Sequence, residues 1–192
     1  MKKKNTNWQE EQIRSIWYDI NNPRIINIIE NCLASGENIP PWISHKFYDA
    51  VVRMKPLDTK WQTFEAVGSK GTLDHFISPR LLFRAAVDES MKYITNYSLF
   101  KEMIYTCLKV IKTTSEQNQQ VKYENRNNEI IVNELTLYKY DTFGFYNEET
   151  NTSSDEFPLK EFIPNYLTKY EEKHMRVEKK INLTHTLDQY LQ

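Results

Sequence analysis

Residues 67–80 of the chain read Val67-Gly68-Ser69-Lys70-Gly71-Thr72-Leu73-Asp74-His75-Phe76-Ile77-Ser78-Pro79-Arg80. Two of the four glycines in the protein lie in this stretch, directly before an adjacent carboxylate and imidazole. Glycine permits positive φ angles and close backbone approach, so we expect Asp74 and His75 on a shaped loop or at a strand end. A carboxylate binds hard cations, and an imidazole, which titrates near about 6.5, can accept a proton from water. A second interpretation of the pair is a surface turn with a solvated histidine.

Composition restricts the class of protein. The chain has 192 residues, of which 40% are hydrophobic and 27% charged, and this is ordinary for one globular domain with a sizeable core. The formal net charge of −1 gives no general attraction to nucleic acid. Any contact with DNA must therefore depend on local basic patches.

The cysteine pattern and the hydropathy of the sequence bear on where the protein is located. Cys32 and Cys107 lie in apolar surroundings without CxxC spacing, which argues against a structural zinc site and favours buried thiols. The amino-terminal Met-Lys-Lys-Lys is followed by polar residues, and no stretch approaches about 18 apolar residues. We expect a soluble protein of a reducing cytoplasm, without a membrane partner.

The first third of the chain predicts helices. Apolar spacing indicates a helix from Trp8 to Ile20, a second from Arg24 to Ser35 with Gly36 as its cap, and a third from His45 to Met54 with Ser44 as its N-cap. Three such helices fit a DNA-binding helical module, but packing of their apolar faces into a core explains the same periodicity.

Strands and helices alternate in the middle of the chain. Strands are predicted for 61–67, 72–77 and 108–113, and helices from Ser78-Pro79 and from Ser98. Thr113-Thr114-Ser115-Glu116 has the form of a capping box and predicts a helix whose first turn carries Asn118. Beyond it we predict strands at 130–133 and 135–139, a flexible polar loop at 147–156, and an exposed helix at 170–180.

Residues 73–79 and 110–118 carry a resemblance to a known family. With their order of strand, Gly-containing loop, Asp-His strand, strand and helix, they resemble the HNH branch of the His-Me finger nucleases, particularly phage-encoded HNH endonucleases. The resemblance implies an α+β protein, a mostly helical single domain around a small ββα-metal unit. Three regions are then expected: an N-terminal helical region at 1–56, a catalytic region with a helical insertion at 57–146, and an aromatic and helical extension at 157–192.

The resemblance also implies a site. His75 would be the general base that activates water, while Asp74 and Asn118 would bind one Mg²⁺ or Mn²⁺ ion through oxygen atoms, with DNA as the substrate. Arg80 and Arg84, one helical turn apart, would bind phosphates, although two exposed helix arginines are an equally good interpretation.

The sequence departs from the family pattern in two ways. His75 and Asn118 are 43 residues apart (118 minus 75), so a helical insertion must separate the two strands. The middle Asn of the pattern has no clear counterpart, and Asn96, Asn125, Asn127 or Asn128 could each take its place. We treat His174 and His185 as surface residues, because no carboxylate pattern accompanies them.

Two further functions, each of a different class, stay open. One is a non-enzymatic phage accessory or adaptor protein that binds another protein, which the near-neutral charge favours. The second is a sequence-specific DNA-binding module without cleavage. The Gly-Asp-His loop and the capped helix with Asn118 favour the endonuclease, encoded by a phage or mobile element and acting in the host cytoplasm.

Overall fold

The computed structural model describes residues 4–89, 91–118, 144–155 and 163–170. Helices and strands are both present, and helix predominates, so the prediction of a mostly helical α+β fold is confirmed at that level. In chain order the elements are α1 (Lys4–Ile20), α2 (Pro23–Ser35), α3 (Pro41–Val52), β1 (Leu57–Thr63), a 3₁₀ turn (Phe64–Ala66), β2 (Thr72–His75), α4 (Pro79–Glu89), α5 (Lys92–Thr95), α6 (Tyr97–Cys107), β3 (Lys109–Thr113), β4 (Phe145–Asn147) and β5 (Thr152–Ser154). Residues 115–118 and 165–170 are also helical.

Contacts group the chain into two compact units, where the sequence predicts a single body. Unit 1 comprises Met1–Thr59 and His75–Ile111, and unit 2 comprises Lys60–Asp74 and Lys112–Gln192. The chain therefore passes between the units within β1, β2 and β3. In the part of the chain that the structure describes, every helix is too short or too polar to cross a membrane.

The first helix ends at Ile20 as predicted but begins at Lys4, four residues before the predicted Trp8, whereas the second has its predicted ends to within one residue. The Asn22 side chain accepts a hydrogen bond from Arg24 N at 3.0 Å, and Pro23 occupies the first turn of α2, where its missing N–H costs nothing. Gly36 adopts φ 70° and donates its N–H to the last turn, as a left-handed cap does. These helix ends are confirmed.

The third helix starts earlier than predicted. It begins at Pro41, and Ser44 is buried inside it with Oγ donating to Pro41 O at 2.9 Å. The prediction that Ser44 is the N-cap is wrong, because a proline that follows another proline can open a helix without a side-chain cap.

Unit 1 has an aromatic core. Phe47 of α3 stacks on Phe83 of α4 with ring centroids 4.7 Å apart, and it meets Phe100 of α6 edge-on at 6.0 Å. All three rings have 0% exposure. Helix α4 is apolar on nearly every side, which is why it lies at the centre of this unit.

The described strands form a five-stranded sheet in the order β2-β3-β1-β4-β5. Leu57 N donates to Leu108 O and Thr59 Oγ1 donates to Val110 O, both at 2.8 Å, and this register shows that β1 and β3 run parallel. Strand β4 pairs antiparallel with β1 and with β5. The predicted strand at 61–67 is wrong in its bounds, since β1 begins at Leu57 and the chain turns into the 3₁₀ helix after Thr63.

A β-hairpin occupies residues 145–154, where the sequence predicts a flexible loop. Asn147 Oδ1 accepts hydrogen bonds from Glu149 N and Thr150 N at 2.9 and 3.0 Å, which closes the turn between β4 and β5. Asn151 takes φ 54°, a conformation that asparagine tolerates. The prediction of a flexible loop is wrong because hydrogen bonds from polar turn residues stabilise the hairpin, although few of its side chains are apolar. The strands predicted at 130–139 lie outside the described residues, as does nearly all of the helix predicted at 170–180.

Candidate functional site

Two hydrogen bonds from Ser69 close the Gly-containing loop. Ser69 donates to Ala66 O through N at 3.1 Å and through Oγ at 2.9 Å. Gly68 and Gly71 have φ angles of 73° and 56°, so both glycines occupy the conformation that the sequence indicates for them. The loop is a compact turn that delivers the chain to β2.

Alanine at the two glycines should have unequal costs. At Gly68 nothing lies within 4 Å of an added Cβ, so Gly68→Ala should cost about 1–2 kcal/mol of unfolding free energy, from the positive φ alone. At Gly71 the Cβ would lie 2.7 Å from Lys112 Cγ and 3.0 Å from Thr113 O, and overpacking should add roughly 1–3 kcal/mol. Urea unfolding of both variants measures the difference, and equal losses would contradict the packing of Lys112 over Gly71.

Strand β2 places Asp74 on the same side as Thr72, because alternate residues of a strand share a face. Thr113 Oγ1 donates to Thr72 O at 3.4 Å, and Thr72 Oγ1 lies 3.4 Å from Ser115 Oγ. Ser115 opens the helical turn that carries Asn118. The face of β2 that bears Asp74 is therefore the face that this helical turn approaches, within unit 2.

His75 is the last residue of β2 and is half-buried. Pleating alone would direct its side chain to the face opposite Asp74, so a shared site requires the imidazole to turn toward Asp74 where β2 ends. His75 belongs to unit 1 and Asp74 to unit 2. What the structure brings together is thus the segments of Asp74 and Asn118, both in unit 2.

The helical turn at 115–118 has a capping box one residue later than predicted. Gln117 N donates to Thr114 Oγ1 at 3.1 Å, and Thr114 N donates to Gln117 Oε1 at 3.0 Å. The N-cap is therefore Thr114, with Gln117 in the position expected for Glu116. Asn118 is 8% exposed and its N–H donates to Thr114 O at 3.1 Å, so the prediction of a capped helix that carries Asn118 is confirmed.

Gln117 has a role in this region that the sequence pattern did not reveal. Its Oε1 also accepts a hydrogen bond from Thr63 Oγ1 at 2.7 Å, and its Nε2 donates to Glu65 Oε2 at 2.8 Å. The side chain is 6% exposed, and Thr63 is fully buried. The available signal was the spacing Thr114-x-x-Gln117, whereas the partners on β1 and the 3₁₀ turn are too distant in sequence to be read from a local pattern.

Arg80 and Arg84 lie on the strip of α4 that is not buried. Their neighbours on α4 are all buried, namely Leu81, Leu82, Phe83, Ala85, Ala86 and Val87. The two arginines are thus one helical turn apart on the same side of α4, as the i, i+4 spacing predicts. Their binding to phosphate stays a prediction.

On β3, partial burial lowers the pKa of the Lys109 ammonium group, and Lys109 O accepts from Phe76 N at 3.4 Å.

The four asparagines that could stand for the middle Asn of the HNH pattern fall into two groups. Asn96 caps α6, since its Oδ1 accepts from Ser98 N and Leu99 N at 3.0 and 3.2 Å. This use of the side chain accounts for Asn96 without a metal ion. Asn125, Asn127 and Asn128 lie outside the described residues, as do His174 and His185.

The proposed metal ligands are few, namely oxygen atoms of one carboxylate and one amide side chain. Within residues 4–89, 91–118, 144–155 and 163–170, no group of three or more His, Cys, Asp or Glu side chains could hold an ion. One carboxylate and one amide oxygen nevertheless fit Mg²⁺, which keeps several waters and takes further oxygen atoms from phosphate. Comparison with protein-family models, with curated proteins and with solved structures found no match.

Proposed function

We propose that the protein is a metal-dependent HNH-type endonuclease that hydrolyses phosphodiester bonds of DNA. The observation that carries the proposal is the arrangement of β2, β3 and the helical turn at 115–118. Strand β2 ends in Asp74-His75, β3 is its neighbour in the sheet, and the turn with Asn118 begins just after β3. The order strand, strand, helix supports the proposal of a ββα unit, in which α4 to α6 would be the insertion between the strands.

The roles follow from the chemistry of the side chains. Asp74 and Asn118 offer hard oxygen atoms for one Mg²⁺ or Mn²⁺ ion, and their segments meet through Thr72 and Ser115. Such an ion, when bound, neutralises charge on the phosphate and assists the leaving oxygen. His75 accepts the proton of the attacking water, and Arg80 and Arg84 hold the phosphates of the substrate.

The proposal is tested by nicking of supercoiled plasmid and of single-stranded DNA with Mg²⁺, Mn²⁺ or chelator. Wild-type protein should nick only with a metal ion. Asp74→Ala and Asn118→Ala should each raise the metal concentration for half-maximal nicking at least about tenfold, because each removes a ligand. Matched controls are Asp49→Ala and Asn27→Ala, at exposed positions of α3 and α2, which should leave that concentration unchanged. Wild-type protein that nicks no DNA under any of these conditions would contradict the proposal.

A protein-binding role is the second candidate, and one surface of unit 1 favours it. Trp42 is 49% exposed beside an open cavity of about 590 Å³ that is also lined by Asp19, His45, Lys46, Asp49, Ala50 and Arg53. Tryptophan is enriched at protein–protein interfaces and charged residues at their rims, and this surface combines an exposed tryptophan with charged neighbours. An adaptor of this kind would bind its partner equally well with His75 replaced, and would show no nicking.

A further inference from the structure

We infer that Gln117 is the positioning residue for Asn118, an inference that rests on the proposed function. The two residues are consecutive on the helical turn that follows β3. Successive side chains of a helix point about 100° apart, so Gln117 can turn toward β1 while Asn118 turns elsewhere. Gln117 therefore holds the turn without itself contacting the ion.

The orientation of the Gln117 amide is set by its neighbours. Thr114 N can only donate, so the atom 3.0 Å from it must be the carbonyl oxygen Oε1. This leaves Nε2 facing Glu65 Oε2 at 2.8 Å, where the carboxylate oxygen accepts its hydrogen bond. Thr63 Oγ1, at 2.7 Å from Oε1, supplies a second donor to the carbonyl. Both Oε1 and Nε2 of the amide therefore have partners. If the amide were flipped, Nε2 would face the donors Thr114 N and Thr63 Oγ1, and Oε1 would face the acceptor Glu65 Oε2.

These bonds tie three segments of unit 2 together. Thr63 ends β1, Glu65 lies in the 3₁₀ turn before the glycine loop, and Thr114 caps the helical turn. Gln117 is 6% exposed and Thr63 is fully buried, so water has little access to replace a lost bond of this network. Removing a partner from such a network leaves buried polar atoms unsatisfied and frees the turn to shift. A shift of the turn moves Asn118 with it.

The experiment exchanges donor and acceptor between Gln117 and Glu65. Gln117→Glu places two carboxylates where the amide and carboxylate now lie 2.8 Å apart, and it should raise the Mn²⁺ concentration for half-maximal nicking about tenfold or more. Glu65→Gln should have little effect, because the new side chain still offers a carbonyl oxygen to Gln117. The double variant restores one amide facing one carboxylate, so its Mn²⁺ requirement should return to within about threefold of wild type, a non-additive result.

Two measurements separate this inference from the proposed function. Mn²⁺ binding is followed by the electron paramagnetic resonance signal of the free ion, and folding by thermal unfolding. Wild-type protein that neither binds Mn²⁺ nor nicks DNA would refute the endonuclease itself. The second outcome is that wild-type protein binds Mn²⁺ and nicks DNA, and that Asn118→Ala impairs both. In that case, wild-type Mn²⁺ affinity in Gln117→Glu would refute the positioning role of Gln117 and leave the endonuclease proposal standing.

A milder variant covers the case in which Gln117→Glu does not fold. Thr63→Val removes one hydroxyl donor to Gln117 Oε1 at nearly constant shape. It should weaken Mn²⁺ binding measurably while the protein remains folded, and Thr106→Val, at a side chain that bonds to Glu102 O within α6, is the matched control. Equal Mn²⁺ affinity of Thr63→Val, the control and wild type would overturn the inference.

Discussion

Replacing His75 by alanine should lower the rate of Mg²⁺-dependent DNA nicking by roughly 10²-fold or more. A positioned general base contributes about that factor, since water is a poor nucleophile until its proton is accepted. Single-turnover nicking of supercoiled plasmid at saturating Mg²⁺ measures the rate. Metal affinity should be nearly unchanged, which distinguishes a base from a ligand.

Two controls sharpen this experiment. His45→Ala removes a histidine from the exposed side of α3 and should leave the rate unchanged. Added imidazole should restore part of the activity of His75→Ala, because a free base can occupy the space left by the side chain. Full activity of His75→Ala without imidazole would remove His75 from the mechanism, whatever the metal requirement of the protein.

Replacing Phe83 by alanine should destabilise the protein by about 3–5 kcal/mol, a large part of the roughly 5–15 kcal/mol that a domain possesses. Phe83 has 0% exposure, and its ring stacks on Phe47 at 4.7 Å, so the cavity left behind lies inside a close-packed cluster. Phe47→Ala should cost a similar amount. Urea unfolding followed by tryptophan fluorescence measures both.

The stacked pair also predicts a coupling. In a double-mutant cycle, the summed losses of Phe47→Ala and Phe83→Ala should differ from the loss of the double variant by about 0.5–1.5 kcal/mol. Leu33→Ala, on a side chain of α2 that is 40% exposed, is the control and should cost less than about 1 kcal/mol. A loss at Phe83 no greater than that at Leu33 would contradict the packing of α3 on α4.

Local signals predicted the helices well. The ends of α2 are visible in the sequence, because Asn22, Pro23 and Gly36 have their effect within one turn. The start of α4 at Pro79 is predicted for the same reason. Periodicity likewise gives the buried positions Ile13, Ile16 and Ile20 of α1, since a helix that packs on one side must repeat its apolar residues every three or four positions.

The features that the sequence did not predict depend on hydrogen-bond partners that are far apart in the chain. Thr63 and Gln117 are 54 residues apart, and Gln117 and Glu65 are 52 apart, so no local pattern contains their bonds. The hairpin at 145–154 was missed because its turn is closed by Asn147, and its first strand pairs with β1 far back in the chain. Of the predicted site, the capped turn with Asn118 was derived from local spacing, whereas the proximity of Thr72 to Ser115 was not.

The long separation between the partners of unit 2 has a consequence for synthesis. Segment 60–74 bonds to residues 41 to 88 positions later, from the bond of Thr72 with Thr113 to that of Lys60 with Glu148 (148 minus 60). At roughly 5–20 residues per second, a ribosome needs several seconds to supply those partners. During that interval segment 60–74 lacks the partners to which it bonds in the folded protein. Slowing translation between codons 75 and 148 should therefore lengthen the time in which a nascent chain is open to chaperones or to aggregation.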